Sequence, residues 1–213
     1  MCFSPEASFA SSALLFGIGS MTLKSCKINP VPLWVLIPFF FAWQQMFEGI
    51  VWLELNGTFS HSFFTEWAKN LYLIFALILW PVLIPLSMML VESNPTKKWI
   101  MLTLLVVGIA VAYTVVRVAM PLQSVPKIAG YSIQFVEEGP FFIKLAYLAC
   151  VSIPPIISSV RFMWVFGTGV FIACLVGQYF YIAELTSVWC FLSTVLAVIL
   201  YFVTKANNIK AEG

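Results

Sequence analysis

The sequence predicts an all-α membrane protein, a seven-transmembrane-helix bundle with the N-terminus outside and the C-terminus cytoplasmic. Three observations predict this class. Of the 213 residues, 62% are hydrophobic and 9% are charged, and the mean hydropathy of +0.98 excludes an ordinary soluble domain. Seven apolar stretches approach the length of roughly 20 residues that a helix needs to cross a hydrocarbon core. The lysines and arginines also favour one side of the connections, as a fixed orientation requires.

The first span begins with a clear helix-start signal. Ser4 is an N-cap residue, Pro5 suits the first helical position, and Glu6 brings a negative charge to the helix N-terminus. Prolines mark several of the later gaps between apolar stretches. No polar segment is long enough to fold separately, so residues 1–213 are expected to form a single polytopic membrane domain. The expected spans lie near residues 5–24, 32–54, 67–90, 99–120, 140–160, 162–182 and 185–204.

The positive charges set the expected orientation. Alternate connections and the C-terminal tail carry seven lysines and arginines, whereas the opposite connections carry three. Because cytoplasmic loops accumulate these residues, the sequence predicts a multi-pass protein of the bacterial inner (plasma) membrane with its N-terminus outside. The seven are Lys24, Lys27, Lys97, Lys98, Arg161, Lys205 and Lys210, and the three are Lys69, Lys127 and Lys144.

The two longest connections, near residues 55–66 and 121–139, both lie on the predicted outer side. The second alternates apolar and polar side chains around Gly130. This pattern is typical of a short strand or hairpin, and it also suits an amphipathic loop lying in the headgroup region. The length of these outer links favours a function on the outer side.

The second span carries a polar stripe that a lipid-facing helix would not tolerate. An ionisable group within a span costs about 2.5 to 3.5 kcal/mol on insertion scales, and Glu48 is such a group. Gln44, Gln45 and Trp52 lie three or four positions away, so helical spacing puts them on the face of Glu48. Such a stripe serves either hydrogen bonding between helices or a solvated pocket.

Other polar residues are expected at the depth of Glu48. Arg117 either turns inward to pair with Glu48 or Glu6, or extends to the outer headgroups. The cytoplasmic halves of the spans carry no comparable polar set. The sequence therefore predicts an aromatic-lined polar pocket that opens outward. Its expected ligand-binding residues are Cys2, Glu6, Gln44, Gln45, Glu48, Trp52, Tyr113, Arg117 and Gln178.

Cysteine and histidine usage limits the chemistry that the chain can perform. Cys2 becomes the first residue if the initiator methionine is removed, and a terminal amine beside a thiol is a nucleophile, a two-point metal ligand or an inert chain end. His61 is the one histidine of the sequence, so a multi-histidine zinc or haem site is excluded. The cysteines lack CxxC spacing. We expect no cofactor and no metal, and the scattered basic residues predict no nucleic-acid partner.

Two motifs carry a family resemblance. Residues 1–9 read MCFSPEASF, and residues 44–52 read QQMFEGIVW. Together they resemble a family of small polytopic membrane proteins, largely bacterial, that is known as a domain of unknown function. The resemblance covers the first two spans and implies no activity. It implies that the family pattern includes Cys2, Ser4, Ser8, Phe9, Gln45 and Glu48.

Three functions remain open at this stage. The first is the binding or transport of a small polar or amphipathic ligand by the outward-facing pocket. The second is a structural or assembly subunit of a membrane complex, either as a homo-oligomer or with a membrane partner. The third is a membrane enzyme in which Cys2 is the nucleophile and Glu48 or the terminal amine handles the proton. The sequence favours a function that is not enzymatic, with the lipid bilayer and a small molecule as partners.

Overall fold

The computed structural model describes residues 4–119, 127–129, 132–134, 140–180 and 185–211. These residues form seven continuous helical stretches. A 3-10 turn, Leu33–Leu36, leads into the second stretch, and π-helical turns, Ile74–Leu79 and Val115–Ala119, lie within the third and at the end of the fourth. The α-helices are α1 Pro5–Ser25, α2 Ile37–Leu55, α3 Phe63–Leu73, α4 Trp80–Val91, α5 Pro95–Thr114, α6 Phe141–Ile157, α7 Met163–Phe180 and α8 Leu185–Ala211.

The helix starts follow local capping chemistry. Ser4 Oγ accepts a hydrogen bond from the backbone N–H of Ala7 at 3.2 Å, which confirms the predicted start of α1. The third and fourth stretches begin about one turn earlier than predicted. Ser62 caps α3 through a reciprocal bond with Thr65, and Asn94 caps α5. The first turn of α5 is polar, and that of α3 places Thr65 and Glu66 after two phenylalanines, so both turns had been assigned to loops.

Small residues allow the helices to approach closely. On α1 the buried positions include Ser8, Ser12 and Gly19, and this face packs against α2. One close approach joins α4 and α5, where a Cβ on Gly108 would lie 1.9 Å from the carbonyl oxygen of Pro81. No side chain larger than hydrogen fits at that position without moving one of the two helices.

The remaining packing closes the bundle. α8 packs against both α1 and α7, α7 packs against α6, and α6 packs against α4 and α5. A short antiparallel pair, β1 Lys127–Ala129 and β2 Ser132–Gln134, lies in the second long connection with Ile128 opposite Ile133. The alternating pattern of that connection is typical of such a pair.

Three helical stretches within the described residues are long and apolar enough to cross a membrane. They are Leu33–Leu55, Phe63–Val91 and Pro95–Arg117. Shorter apolar helices are formed by Phe141–Ile157, Met163–Val176 and Leu192–Asn208. The protein is therefore helical, with the helices of a membrane-associated chain.

Candidate functional site

The polar stripe of α2 is fully enclosed. Gln44, Gln45 and Glu48 are each 0% exposed, and Trp52 is 4% exposed. Their positions on α2 follow the three- and four-residue spacing of one helix face. These four residues therefore lie on one face of α2 in the interior of the bundle, rather than at the outward opening that the sequence predicted.

An interhelical hydrogen bond holds one end of the stripe. The indole N–H of Trp80, the first residue of α4, donates to Gln44 Oε1 at 2.8 Å. The ring of Phe41 stacks on Trp80 with 4.1 Å between centroids. Since the carbonyl of Gln44 accepts from Trp80, its amide N–H groups point elsewhere, and the orientation of this side chain is determined.

The carboxyl of Glu48 lies beside a second amide. Gln45 Nε2 donates to Glu48 Oε2 at 3.4 Å, which is long for a hydrogen bond to a carboxylate. Both atoms belong to fully buried side chains. Gln45 is therefore a close neighbour of this buried acid, without the tight geometry of a strong charge-assisted bond.

Helix α1 contributes a hydroxyl at the same level. Ser12 Oγ donates to the carbonyl oxygen of Ala42 at 2.8 Å, and the ring of Phe9 packs against Gly49. Ser8 lies one turn before Ser12 on α1 and directly precedes Phe9. Its Oγ is buried and has no hydrogen-bond partner among the described residues. We call Ser8, Gln44, Gln45, Glu48 and Trp80 the polar centre.

Helix α3 brings a lysine to the depth of Glu48. α2 and α3 are joined by a short connection and pack together, so Lys69 lies about as far below their shared end as Glu48 does. Lys69 is 7% exposed, and its Nζ lies 2.7 Å from Glu66 Oε2. The sequence analysis counted Lys69 only as an outer-side charge, because it lies two residues after the predicted start of the third span.

The other predicted ligand-binding residues are not part of the polar centre in the described residues. Arg117 Nε donates to the hydroxyl of Tyr113 at 3.1 Å, and both side chains are exposed. Glu6 is exposed in the first turn of α1. Cys2 and the side chain of Gln178, a residue of α7, lie outside the described residues. Of the two expectations for Arg117, extension toward solvent or headgroups is the one that this geometry favours.

The described residues do not form an open pocket at the stripe. Two grooves on the described residues, of about 390 Å³ and 260 Å³, are both largely apolar. One lies between α7 and α8 around Val165 and Val203, and the other lies beside Pro95 and Trp99. The polar centre lines neither groove. The predicted outward opening is therefore unsupported, because the side chains of neighbouring helices enclose the stripe.

The opposite end of the bundle holds a network that the sequence analysis missed. Glu92, in the connection between α4 and α5, accepts from the backbone N–H of Asn94 at 3.0 Å and of Ser159 at 2.8 Å. Burial alone raises the pKa of Glu92, but these hydrogen bonds and the charge of Lys97 outweigh it, so the pKa lies below its ordinary value. Glu92 thereby ties the α4–α5 connection to the α6–α7 connection.

The end of α8 makes two similar connections. Asn208 Oδ1 accepts from the backbone N–H of Lys27 at 2.9 Å, and its Nδ2 donates to the carbonyl oxygen of Ser25. Asn207 exchanges hydrogen bonds with the backbone of Arg161. We call Glu92, Asn207 and Asn208 the end clamp. Two adjacent amides after an apolar run are a sequence signal for such a role, although their partners are distant in sequence.

These features define a protein whose described residues form a helical bundle of membrane type, with an enclosed polar centre and a hydrogen-bonded end clamp. The chain belongs to a family of unknown function, DUF6629, whose model matches residues 1–212. This match confirms the resemblance carried by the two N-terminal motifs and extends it over almost the whole chain. No curated protein and no solved structure matches the chain.

Proposed function

We propose that this chain crosses the membrane seven times with its N-terminus outside, and that its polar centre binds and transports a small polar or amphipathic ligand. The observation that carries the proposal is the complete burial of Glu48 together with two glutamines on one face of α2. Polar and ionisable side chains within spans are costly, and they commonly mark substrate or ion pathways. A packing contact between two helices requires fewer such groups.

Aromatic residues at both ends of the bundle support the proposed spans. Exposed aromatic side chains are frequent at the interfaces of membrane proteins, where their rings lie at headgroup level. In the proposed topology, the outer set lies at the starts of α3 and α6, and the inner set lies near the starts of α5 and α7. The outer set is Phe63, Phe64, Trp67, Phe141 and Phe142, and the inner set is Trp99, Phe162 and Trp164.

The depth of Glu48 supports access from the outer side. Glu48 lies seven residues before Leu55, the last residue of α2. At 1.5 Å per residue, this is about 10 Å below the outer end of the helix. The inner end is tied by the end clamp, where Asn208 holds the 25–27 turn. A ligand would therefore reach the polar centre through the outer third of the bundle.

The helix facing the stripe contains an element that can move. The π-helical turn Ile74–Leu79 directly precedes Trp80, and the hydroxyl of Tyr147 donates to the carbonyl oxygen of Ala76 at 2.7 Å. π-helical turns occur frequently at functional sites, since they free backbone groups from the regular ladder. Return of this turn to α-helix would rotate α3 relative to Trp80 and separate Trp80 from Gln44. This motion would open the enclosed centre to a ligand.

Transport into proteoliposomes tests the proposal. Purified protein would be reconstituted and exposed to a panel of small polar and amphipathic solutes, with uptake measured by mass spectrometry. We expect at least one solute to accumulate with wild-type protein and to lose most of this uptake in Glu48→Gln. Glu54→Gln is the matched control, since it makes the same change nearer the end of the same helix. Equal accumulation by wild type and Glu48→Gln for every solute would overturn the proposal.

A structural subunit is the second candidate function, and the bond from Trp80 to Gln44 favours it, because interhelical hydrogen bonds also serve assembly. This function predicts stable co-purification with a membrane partner or formation of a defined homo-oligomer. It also predicts no uptake of any solute. The enzyme alternative depends on Cys2, which lies outside the described residues.

A further inference from the structure

We propose that the groove between α7 and α8 binds an anionic phospholipid, with an acyl chain in the groove and the phosphate held by Arg161 and Lys205. The site lies at the end of the bundle that the end clamp ties together, away from the polar centre. The proposal goes beyond ligand transport and does not depend on it. It requires an apolar trough for a chain, positive charge beside that trough, and a shortage of negative charge around it.

The groove has a lining that suits a hydrocarbon chain. Its volume is about 390 Å³, and one residue ahead of α7, one residue of α7 and four residues of α8 line it. The four on α8 follow the three- and four-residue spacing of one helix face. Seven residues separate the first from the last of them, which is about 10 Å of groove along the helix. The lining residues are Phe162, Val165, Ile199, Phe202, Val203 and Ala206.

Arg161 brings a guanidinium to this groove. Its Cζ lies 4.8 Å from the ring centroid of Phe162, which lines the groove. Its backbone is fixed, because Asn207 of α8 accepts from its N–H at 3.2 Å and donates to its carbonyl oxygen at 3.0 Å. The side chain of Arg161 is exposed, and a guanidinium can donate two hydrogen bonds at once to a phosphate. A fixed backbone and an exposed cation therefore meet at one wall of the groove.

Lys205 supplies a second positive charge, on the α8 side. It is exposed, directly precedes the lining residue Ala206, and lies three residues after the lining residue Phe202. Its Nζ lies 4.9 Å from the ring centroid of Tyr201, and that ring meets the ring of Phe202 edge-on at 5.4 Å. One cation therefore lies ahead of α7 and the other on α8, each beside an aromatic ring that lines or contacts the groove.

Negative charge is scarce around these two cations. Glu92 is the one carboxylate of this end among the described residues, and it is 4% exposed and accepts from backbone N–H groups. Neither Arg161 nor Lys205 forms an ion pair with a carboxylate of the described residues. An anionic headgroup would supply the countercharge, whereas a zwitterionic headgroup brings a positive charge of its own. In the proposed orientation this end faces the inner leaflet, whose anionic lipids attract basic clusters.

The backbone of Phe162 points independently to a role for its ring. Its φ of 62° lies in the left-handed region, which residues with a bulky side chain rarely adopt. The side chain is also 43% exposed, so burial within the bundle does not account for this conformation. Unfavourable backbone conformations of this kind are found at ligand-binding sites, where the position of a side chain matters. A lipid chain in the groove would cover the exposed ring.

Native mass spectrometry tests the charges of the site. The full-length protein in detergent would be titrated with phosphatidylglycerol and, separately, with phosphatidylcholine. We expect wild-type protein to bind phosphatidylglycerol about tenfold more tightly. The double variant Arg161→Gln with Lys205→Gln should lose this preference. Lys24→Gln is the matched control, because Lys24 is an exposed lysine in the last turn of α1 that lines neither groove, and it should keep the preference.

Phe162→Gly tests the groove separately from the charges. Glycine adopts the left-handed conformation readily, so the thermal midpoint should be unchanged or higher, while loss of the ring should weaken phosphatidylglycerol binding severalfold. Glycerol phosphate, which has the charge without the chains, should not displace the lipid. Equal affinity of wild type for the two lipids, or equal losses in Lys24→Gln and the double variant, would overturn the site. Unchanged binding in Phe162→Gly, or displacement by glycerol phosphate, would overturn the role of the groove.

Discussion

Trp80 of α4 donates its indole N–H to Gln44 Oε1 of α2 at 2.8 Å, in a fully buried environment. The bond crosses between two segments that are 36 residues apart in sequence. It joins the polar stripe to the first residue after the π-helical turn. A rearrangement of that turn would therefore act on α2 through this bond, through the stacking of Phe41 on Trp80, and through the contacts of Phe75 with Phe40 and Phe47.

Replacement of Trp80 by Phe should destabilise the protein. The ring is retained in part, but the donor to Gln44 is lost from a buried site, which costs about 1–3 kcal/mol. The thermal midpoint in detergent, measured by loss of monodisperse protein, should fall accordingly. The double variant Trp80→Phe with Gln44→Leu should recover part of the loss, since both polar partners are then absent. Additive losses in the double variant would mean that the bond is not energetically coupled.

Gly108→Ala should be strongly destabilising, because its Cβ would lie 1.9 Å from the carbonyl oxygen of Pro81. Separation of α4 from α5 at this point costs about 1–3 kcal/mol, as overpacking of a tight contact does. Gly17→Ala is the matched control, since its Cβ would meet no atom within 4 Å. This control should be neutral or stabilising by about 0.5–1 kcal/mol. Thermal midpoints of the two variants would decide, and equal midpoints would contradict the close approach.

Asn208→Ala should loosen the turn between α1 and α2. The variant loses both the acceptor for the Lys27 N–H and the donor to the Ser25 carbonyl. Hydrogen–deuterium exchange of the Lys27 amide should accelerate about tenfold or more, the equivalent of a bond worth about 1.4 kcal/mol. Peptides from the middle of α4 should exchange at the wild-type rate. Unchanged exchange at Lys27 would show that the bond does not protect the turn.

Glu92 should make the stability of the protein depend on pH in the acid range. Its pKa is held below the ordinary value of 4.5, so the ionised form stabilises the fold at neutral pH. This contribution is fully present above the unfolded pKa and is lost as pH falls through the folded pKa. The thermal midpoint of Glu92→Gln should therefore lie below that of wild type at neutral pH, and the difference should shrink on acidification. A constant difference across pH would contradict the role of the charge.

The proposed orientation predicts which loops are accessible from outside. In a variant without native cysteines, Ser60→Cys should react with a membrane-impermeant maleimide in intact cells. Lys98→Cys should react only after permeabilisation, because its connection carries the positive charges of the inner side. The reverse pattern would invert the topology, and labelling of both positions in intact cells would contradict a seven-span arrangement.

The sequence predicted the helices well because hydropathy and capping are local properties. Ser4 as N-cap and Pro5 as first helical residue are enough to predict the start of α1, without information from distant residues. The early starts of α3 and α5 were missed because polar residues in each first turn, such as Glu66 and Lys97, interrupt the apolar runs from which the spans were predicted. Ser62 and Asn94 are recognisable N-caps, so capping signals would have corrected both boundaries.

The environment of the polar stripe could not be predicted in the same way. Helical spacing puts Gln44 and Glu48 on one face. The same spacing would occur in an open pocket and in a closed interface between helices, so it cannot distinguish the two. The partner of Gln44 is the indole of Trp80 on another helix, and no pattern in the sequence around Gln44 predicts that hydrogen bond. Arg117 was ambiguous for a similar reason, since its contact with Tyr113 is decided by which face of α5 packs inward.

The amide of Asn208 has a consequence for how the molecule is made. Its partner, the N–H of Lys27, lies 181 residues earlier in the chain. During synthesis from the N-terminus, the turn that follows α1 therefore lacks this partner until residue 208 has emerged. A ribosome that stalls before α8 would release a product in which α1 and α2 can pack together, but in which the contacts of α8 with α1 and α7 are missing.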